Sequence, residues 1–204
     1  MSEHPPRWSR SSSFVLVAVA YALAFAASLA VARMVGWAVP WQTLLYADLA
    51  ATLVIFAFSR ALDNSSMYDA YWSVIPPVVA FAIPLAAPSA SLTPRAWLAG
   101  ALVTLWGARL THNWARGWPG LHHEDWRYVD LRKKTGPLYW LVSLLGLHGF
   151  PTVTVFLGML PLFVATTSER PLGPLDGLAA LVTLGATVLE GVADNQLRAF
   201  RREM

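Results

Sequence analysis

Three groups of ionisable residues sit where a largely apolar chain would be expected to carry none. Arg109, Asn113 and Arg116 recur at i, i+4 and i+7, which puts two guanidinium groups and an amide on one helical face. Glu190 and Asp194 are also four apart, and two carboxylates on one face repel unless a cation, a proton or a ligand's donors stand beside them. Asp48 falls near the middle of another apolar run. Ionisable residues inside a membrane are costly and face a partner or a cavity. The plainer expectations are that Arg109 snorkels to the headgroups or pairs with Asp48, and that Glu190 and Asp194 reach water.

The densest stretch is HNWARGWPGLHHEDWRYVDLRKKTG, His112 to Gly136, with eight charged residues, four aromatics and three of the five histidines. His122, His123, Glu124 and Asp125 are ligand types for a metal. Adjacent side chains point apart on regular structure, however, and five histidines are too few for the spaced boxes of a membrane di-iron enzyme, so no metal site is expected. An interfacial loop accounts for Trp114, Trp118, Arg132, Lys133 and Lys134. It does not account for Glu124-Asp125-Trp126-Arg127-Tyr128, because acidic residues gain nothing from an anionic surface. With the Arg/Asn stripe and the carboxylate pair, this segment would line one cavity open to the cytoplasm. There is no Walker motif and no GxGxxG, so any cofactor would bind in a helical pocket.

The elements that must position these groups are apolar helices. Of the 204 residues 56% are hydrophobic and 13% charged, about half the charged fraction of a soluble domain. Six segments suit spans of about 20 residues: 14–34, 41–59, 71–88, 96–115, 138–166 and 175–196. The 19 residues from Phe14 to Ala32 carry no charge and read as a first span instead of a signal peptide. Pro76, Pro77 and Pro84 predict that the third span is not a regular helix throughout. The fifth is overlong and carries Pro151, which a kink, a tilt or a two-part helix would accommodate. With both termini cytoplasmic, eleven Lys and Arg fall inside, against Arg33, Arg95 and Arg170 outside. The expected organisation is a cytoplasmic tail, 1–13, and one all-α integral membrane helical bundle, 14–204, of about six spans. The absence of cysteine excludes disulfides, thiolate metal sites and a cysteine nucleophile. A net charge of +3 asks for no nucleic acid.

Four stretches together resemble a known family. They are Trp106-Gly107-x-Arg109-Leu110 with Asn113-Trp114 and Trp118-x-Gly120, EDWRY at 124–128, NSSMYDAYWSVIPP at 64–77, and GVADNQLRAFRR at 191–202. The chain resembles the steroid 5-alpha-reductase-like membrane proteins, and more narrowly the bacterial branch known as domain of unknown function 1295, over about residues 60 to 202. The resemblance implies a helical bundle in a bacterial inner membrane. It implies NADPH as cofactor and reduction of a conjugated C=C bond in a sterol-like or other hydrophobic lipid-like substrate. It assigns Arg109, Asn113, Arg116, Glu124, Asp125, Trp126, Arg127, Tyr128, Glu190 and Asp194 to the cofactor, and Asp69 and Tyr71 to the substrate side as candidate catalytic acids. Arg suits phosphate through its planar donor fork, and carboxylates suit ribose or amide groups.

Two departures qualify the carry-over. Trp106 stands where the reductases supply a tyrosine, so their proton donor does not transfer. The family continues past ADNQLRAFRR into an Arg-His-Pro-Asn-Tyr segment and further helices, and this chain ends at Met204. The expectation is a fragment of a reductase-like enzyme, or a shortened relative with an incomplete cofactor site. Glu190 and Asp194 would then lack partners, favouring an unstable protein or a homo-oligomer. The alternatives are an S-adenosylmethionine-dependent lipid methyltransferase and a non-catalytic lipid-binding or assembly protein.

Overall fold

The computed structural model describes residues 8–86 and 92–203. Among them every regular element is helical, and five segments are long and apolar enough to cross a bilayer: Arg10–Val35, Pro40–Ala61, Ser65–Ala86, Trp126–Thr166 and Pro174–Glu203. The predicted span 96–115 is also a helix, but Arg95, Arg109, His112, Asn113 and Arg116 dilute its apolar character. The predicted third span ends at Ala86, and its last two residues lie outside the described ones. The chain forms two compact units, Met1–Trp72 with Gly117–Gly158, and Ser73–Arg116 with Met159–Met204.

In the first unit α1 (Arg10–Val35) starts at Ser9, whose hydroxyl caps the Ser12 N–H at 3.1 Å. Gly36, at φ 77°, ends it, and Pro40 opens α2 (Pro40–Ala61) at a position where no N–H is needed. Small buried residues, Ala20 and Ala24 on α1 and Ala47 and Ala51 on α2, let the two helices approach. The Ser28 hydroxyl donates to the Ala47 carbonyl at 2.9 Å. Residues 48, 52, 55 and 59 of α2 share one face, and Asp48, Thr52, Ile55 and Ser59 are all buried there. A 3-10 turn, Ser65–Tyr68, leads into α3 (Tyr71–Ala86), whose first two residues belong to this unit.

The overlong fifth span is built in parts, as one of the expected alternatives had it. An amphipathic α5 (Trp126–Thr135) ends at Gly136, at φ 52°. A 3-10 turn and a short α6 (Tyr139–Val142) lead into a π-turn, Ser143–Gly149, followed by α7 (Phe150–Thr166). The π-turn lies just ahead of Pro151, which has no N–H to give to an α-helical ladder.

The second unit holds the rest of α3, α4 (Pro94–Gly117), the end of α7 and α8 (Pro174–Glu203). Contrary to the sequence reading, α3 is one continuous helix through Pro76, Pro77 and Pro84. Pro77 removes the N–H that would reach the Ser73 carbonyl. That carbonyl instead lies against Gly107 of α4, so close that an added Cβ would sit 2.5 Å from it. A missing donor on one helix and a missing side chain on the other thus meet at the same point.

Ion pairs at matching positions show that α4 and α8 run parallel. Near the start of both, the Arg95 fork holds Asp176 at 2.7 and 3.0 Å and also donates to the Pro171 carbonyl and the Ser168 hydroxyl. Fourteen residues on, about 21 Å along the axis, Arg109 holds Glu190. Between the two clamps Leu98, Leu102, Val103, Ala179 and Thr183 line an apolar hollow of about 220 Å³. Most large apolar side chains of α8 face outward, Leu175, Leu181 and Leu189 among them, as a lipid-facing helix requires.

Candidate functional site

In the first unit the polar NSSMY turn organises the acidic loop. Asn64 accepts the Ser66 N–H at 2.9 Å and donates to the carbonyls of Leu121 and His123, both at 2.9 Å. Glu124 accepts the Ser65 N–H at 2.7 Å, and the Asp125 N–H donates to the Ser66 hydroxyl at 3.0 Å. Arg132 reaches Asp63 at 2.7 Å and Glu124 at 3.4 Å, while its guanidinium lies 4.1 Å from the Tyr139 ring centroid. Asp125 caps α5 through the Arg127 N–H at 2.9 Å and grips the Arg127 fork at 2.8 and 3.0 Å. Those bonds hold the Asp125 carboxyl below the ordinary carboxylate range. Glu124, Asp125 and Arg127 are therefore engaged in building the loop, and Trp126 points outward, 73% exposed.

Tyr128 is different. Its hydroxyl donates to Asp69 at 2.6 Å, and it lines a cleft of about 260 Å³ with Tyr68, Trp72, Leu147, Phe150, Pro151, Thr154 and Val155. Asp69 and Tyr71, both expected on the substrate side, belong to separate pairs, because the Tyr71 hydroxyl donates to Asp48 at 2.6 Å. One of the plainer expectations was that Asp48 pairs with Arg109; among the described residues its partner is the Tyr71 phenol. Two phenol–carboxylate pairs thus flank Tyr68, one on the cleft and one buried behind it. The π-turn completes the wall: His148 is fully buried, its Nδ1 on the Ser143 carbonyl at 3.0 Å and its Nε2 on the Ser59 hydroxyl at 3.1 Å, and its ring lies 4.9 Å from that of Tyr68.

In the second unit the expected stripe on α4 meets the expected carboxylates on α8. Arg109 donates through one terminal nitrogen to Asp194 at 2.5 Å and through the other to Glu190. Arg198 donates to Asn113, and Arg116 reaches Asn195 at 3.5 Å. Glu190 and Asp194, expected to lack partners, find theirs in Arg109, since parallel helices place residue 109 level with 190 and 194. Arg109 Nε is buried and has no hydrogen-bond partner among the described residues.

The family described as "Protein of unknown function (DUF1295)" matches residues 55–204. The chain belongs to the DUF1295 family. An uncharacterized protein of Schizosaccharomyces pombe is 29% identical over 148 residues, which cover 70% of this chain and 43% of the relative. The chain thus spans less than half the length of the curated relative it matches. No solved structure matches. The DUF1295 region takes in the second unit and the first unit from residue 55 on, including the NSSMY turn, the Tyr128–Asp69 pair and the α4–α8 cluster. Sequence reasoning gave no site role to Asn64, Ser65 and Tyr68, which it quoted only within the NSSMYDAYWSVIPP stretch, and passed over Tyr139, His148 and Thr152. The signal for Asn64 to Ser66 was a run of three small polar residues between two apolar spans.

Proposed function

We propose that the protein is a membrane reductase that takes a hydrophobic, lipid-like enone in the first unit's cleft and uses NADPH as reductant. The observation that carries this reading is the Tyr128–Asp69 pair on the wall of an otherwise mostly apolar cleft. The resemblance to steroid 5-alpha-reductase-like proteins supports it. An enone accepting hydride at its β-carbon develops negative charge on the carbonyl oxygen, which a fixed donor in an apolar site stabilises strongly. Tyr128 is that donor once its single O–H turns from Asp69, which holds it at rest, to the substrate oxygen. Trp72, Leu147, Phe150 and Val155 give the cleft its apolar lining. The residues of the α4–α8 cluster suit the cofactor's polar parts: Glu190 and Asp194 accept from ribose or amide groups, Asn113 does both, and Arg116, loosely held at 3.5 Å, is placed for phosphate. When bound, NADPH supplies the hydride.

The full chain in lipid nanodiscs, given NADPH and a sterol enone, should consume both and yield the saturated ketone. Tyr128→Phe should lower kcat on the order of 10²-fold, the usual loss for one donor at a developing oxyanion, with NADPH affinity unchanged. Absence of NADPH binding to the wild type would sink the proposal. Saturable S-adenosylmethionine binding in its place would turn the reading to a methyltransferase. One observation favours a second reading, a non-catalytic lipid-binding protein: both terminal nitrogens of Arg109 are already taken by carboxylates. On that reading the wild type binds lipid but neither cofactor.

A further inference from the structure

The cleft has a second acid behind it that the proposed chemistry does not use. Asp48, 3% exposed, accepts from Tyr71, and no ion pair to it occurs among the described residues. A carboxylate in a low-dielectric interior needs a cation or several donors. A carboxylic acid sharing one short bond with a phenol needs neither. From that pair a line of hydroxyls runs forward. Thr52 stands one helical turn from Asp48 on the same buried face of α2, beside the Tyr71 hydroxyl that Asp48 holds. Thr52 Oγ1 lies 2.8 Å from Thr152 Oγ1, which lies 2.7 Å from the Tyr68 hydroxyl. Thr52, Thr152 and Tyr68 are each 2% exposed, and of the five residues Tyr68 lines the cleft.

We propose that Asp48 holds a proton for the cleft, and that Tyr71, Thr52, Thr152 and Tyr68 carry it there. The transfer balances at every link. Each hydroxyl gives its hydrogen forward and receives one from behind, so Tyr68 delivers a proton to the cleft, Asp48 becomes a carboxylate, and the four hydroxyls are unchanged. In the resting arrangement Thr152 donates to the His148 carbonyl at 2.9 Å and Tyr71 to Asp48 at 2.6 Å, so both hydroxyls must rotate forward, and Asp48 must turn its own hydrogen to Tyr71, for each transfer. This inference rests on reading the cleft as the ligand site, where reduction of an enone consumes one proton besides the hydride. The following measurement does not depend on turnover.

Infrared spectra of the full chain in nanodiscs should show a carboxylic-acid C=O band that vanishes in Asp48→Asn and shifts in Tyr71→Phe. In D2O that band should exchange several-fold more slowly in Thr52→Val and Thr152→Val than in the wild type. Thr52→Ser, which restores the hydroxyl, should restore the wild-type rate and so separates a broken link from a disturbed fold. No Asp48 band, equal rates in all variants, or a Thr52→Ser rate as slow as that of Thr52→Val would each overturn the proposal. A wild type with the band and its hydroxyl-dependent exchange, but without enone turnover, would leave the relay standing and remove the reductase reading.

Discussion

The two units handle buried polarity in opposite ways. The first keeps its ion pairs, Arg127 on Asp125 and Arg132 on Asp63 and Glu124, in the acidic loop, and around the cleft relies on hydroxyls, an amide, a histidine and two phenol–carboxyl pairs, joined by bonds of mostly 2.6 to 3.1 Å. The second relies on full charges, with Arg95 on Asp176 at one end of α4 and Arg109 on Glu190 and Asp194 at the other. The difference teaches where chemistry is stored. Opposed charges cancel and lock, whereas a hydrogen-bonded neutral network keeps a mobile proton that can be given up.

The largest effect should come from breaking a lock. Arg109→Met leaves Glu190 and Asp194 facing each other without a cation. It should cost about 2 kcal/mol, less than the ~3–5 of a fully buried pair because Glu190 is half exposed. Thermal unfolding in detergent measures this, and adding Glu190→Gln and Asp194→Asn should recover most of the loss. In the first unit Asn64→Ala removes two donors and a turn cap, at about 2 kcal/mol. It should also loosen the loop that carries Tyr128, seen as faster amide exchange at residues 121–125. If Asn64→Ala left that exchange unchanged, the neutral network would not be the loop's scaffold.

Gly107→Ala tests the α3–α4 approach, where the new methyl would meet the Ser73 carbonyl and cost on the order of 1–2 kcal/mol. The smallest effect is at Asp125. Its lowered pKa means that the cap contributes fully above the ordinary carboxylate range and is lost as pH falls through the depressed value. Asp125→Ala should cost about 1 kcal/mol at neutral pH, and next to nothing in strong acid, where the wild-type cap is itself protonated. Helix α5 amide exchange at both pH values checks it.

Helix positions were legible in the sequence because the spans are long and apolar, and the predicted boundaries fall within a few residues except at the last helix, which runs on to Glu203. The Arg109 stripe and the Glu190/Asp194 pair were legible as helical faces. Their mutual pairing was not, since it depends on α4 and α8 being parallel and level. The Tyr128–Asp69 bond joins residues 59 apart, and no periodicity within a segment reports such a meeting. Asp48, Thr52 and Ser59 did carry a signal, a polar stripe on an apolar helix, but single polar residues in a span are easily read one at a time.

The π-turn at Ser143–Gly149 is, in register, the trace of one extra residue. An α-helix advances about 100° per residue, and the wide turn absorbs the extra residue instead of passing that rotation on to α7. Phe150, Thr154 and Val155 thereby keep the face that lines the cleft. A further residue inserted just beyond the turn, with no second wide turn to take it up, would swing all three away, so the pocket depends on the chain length here as much as on the side chains.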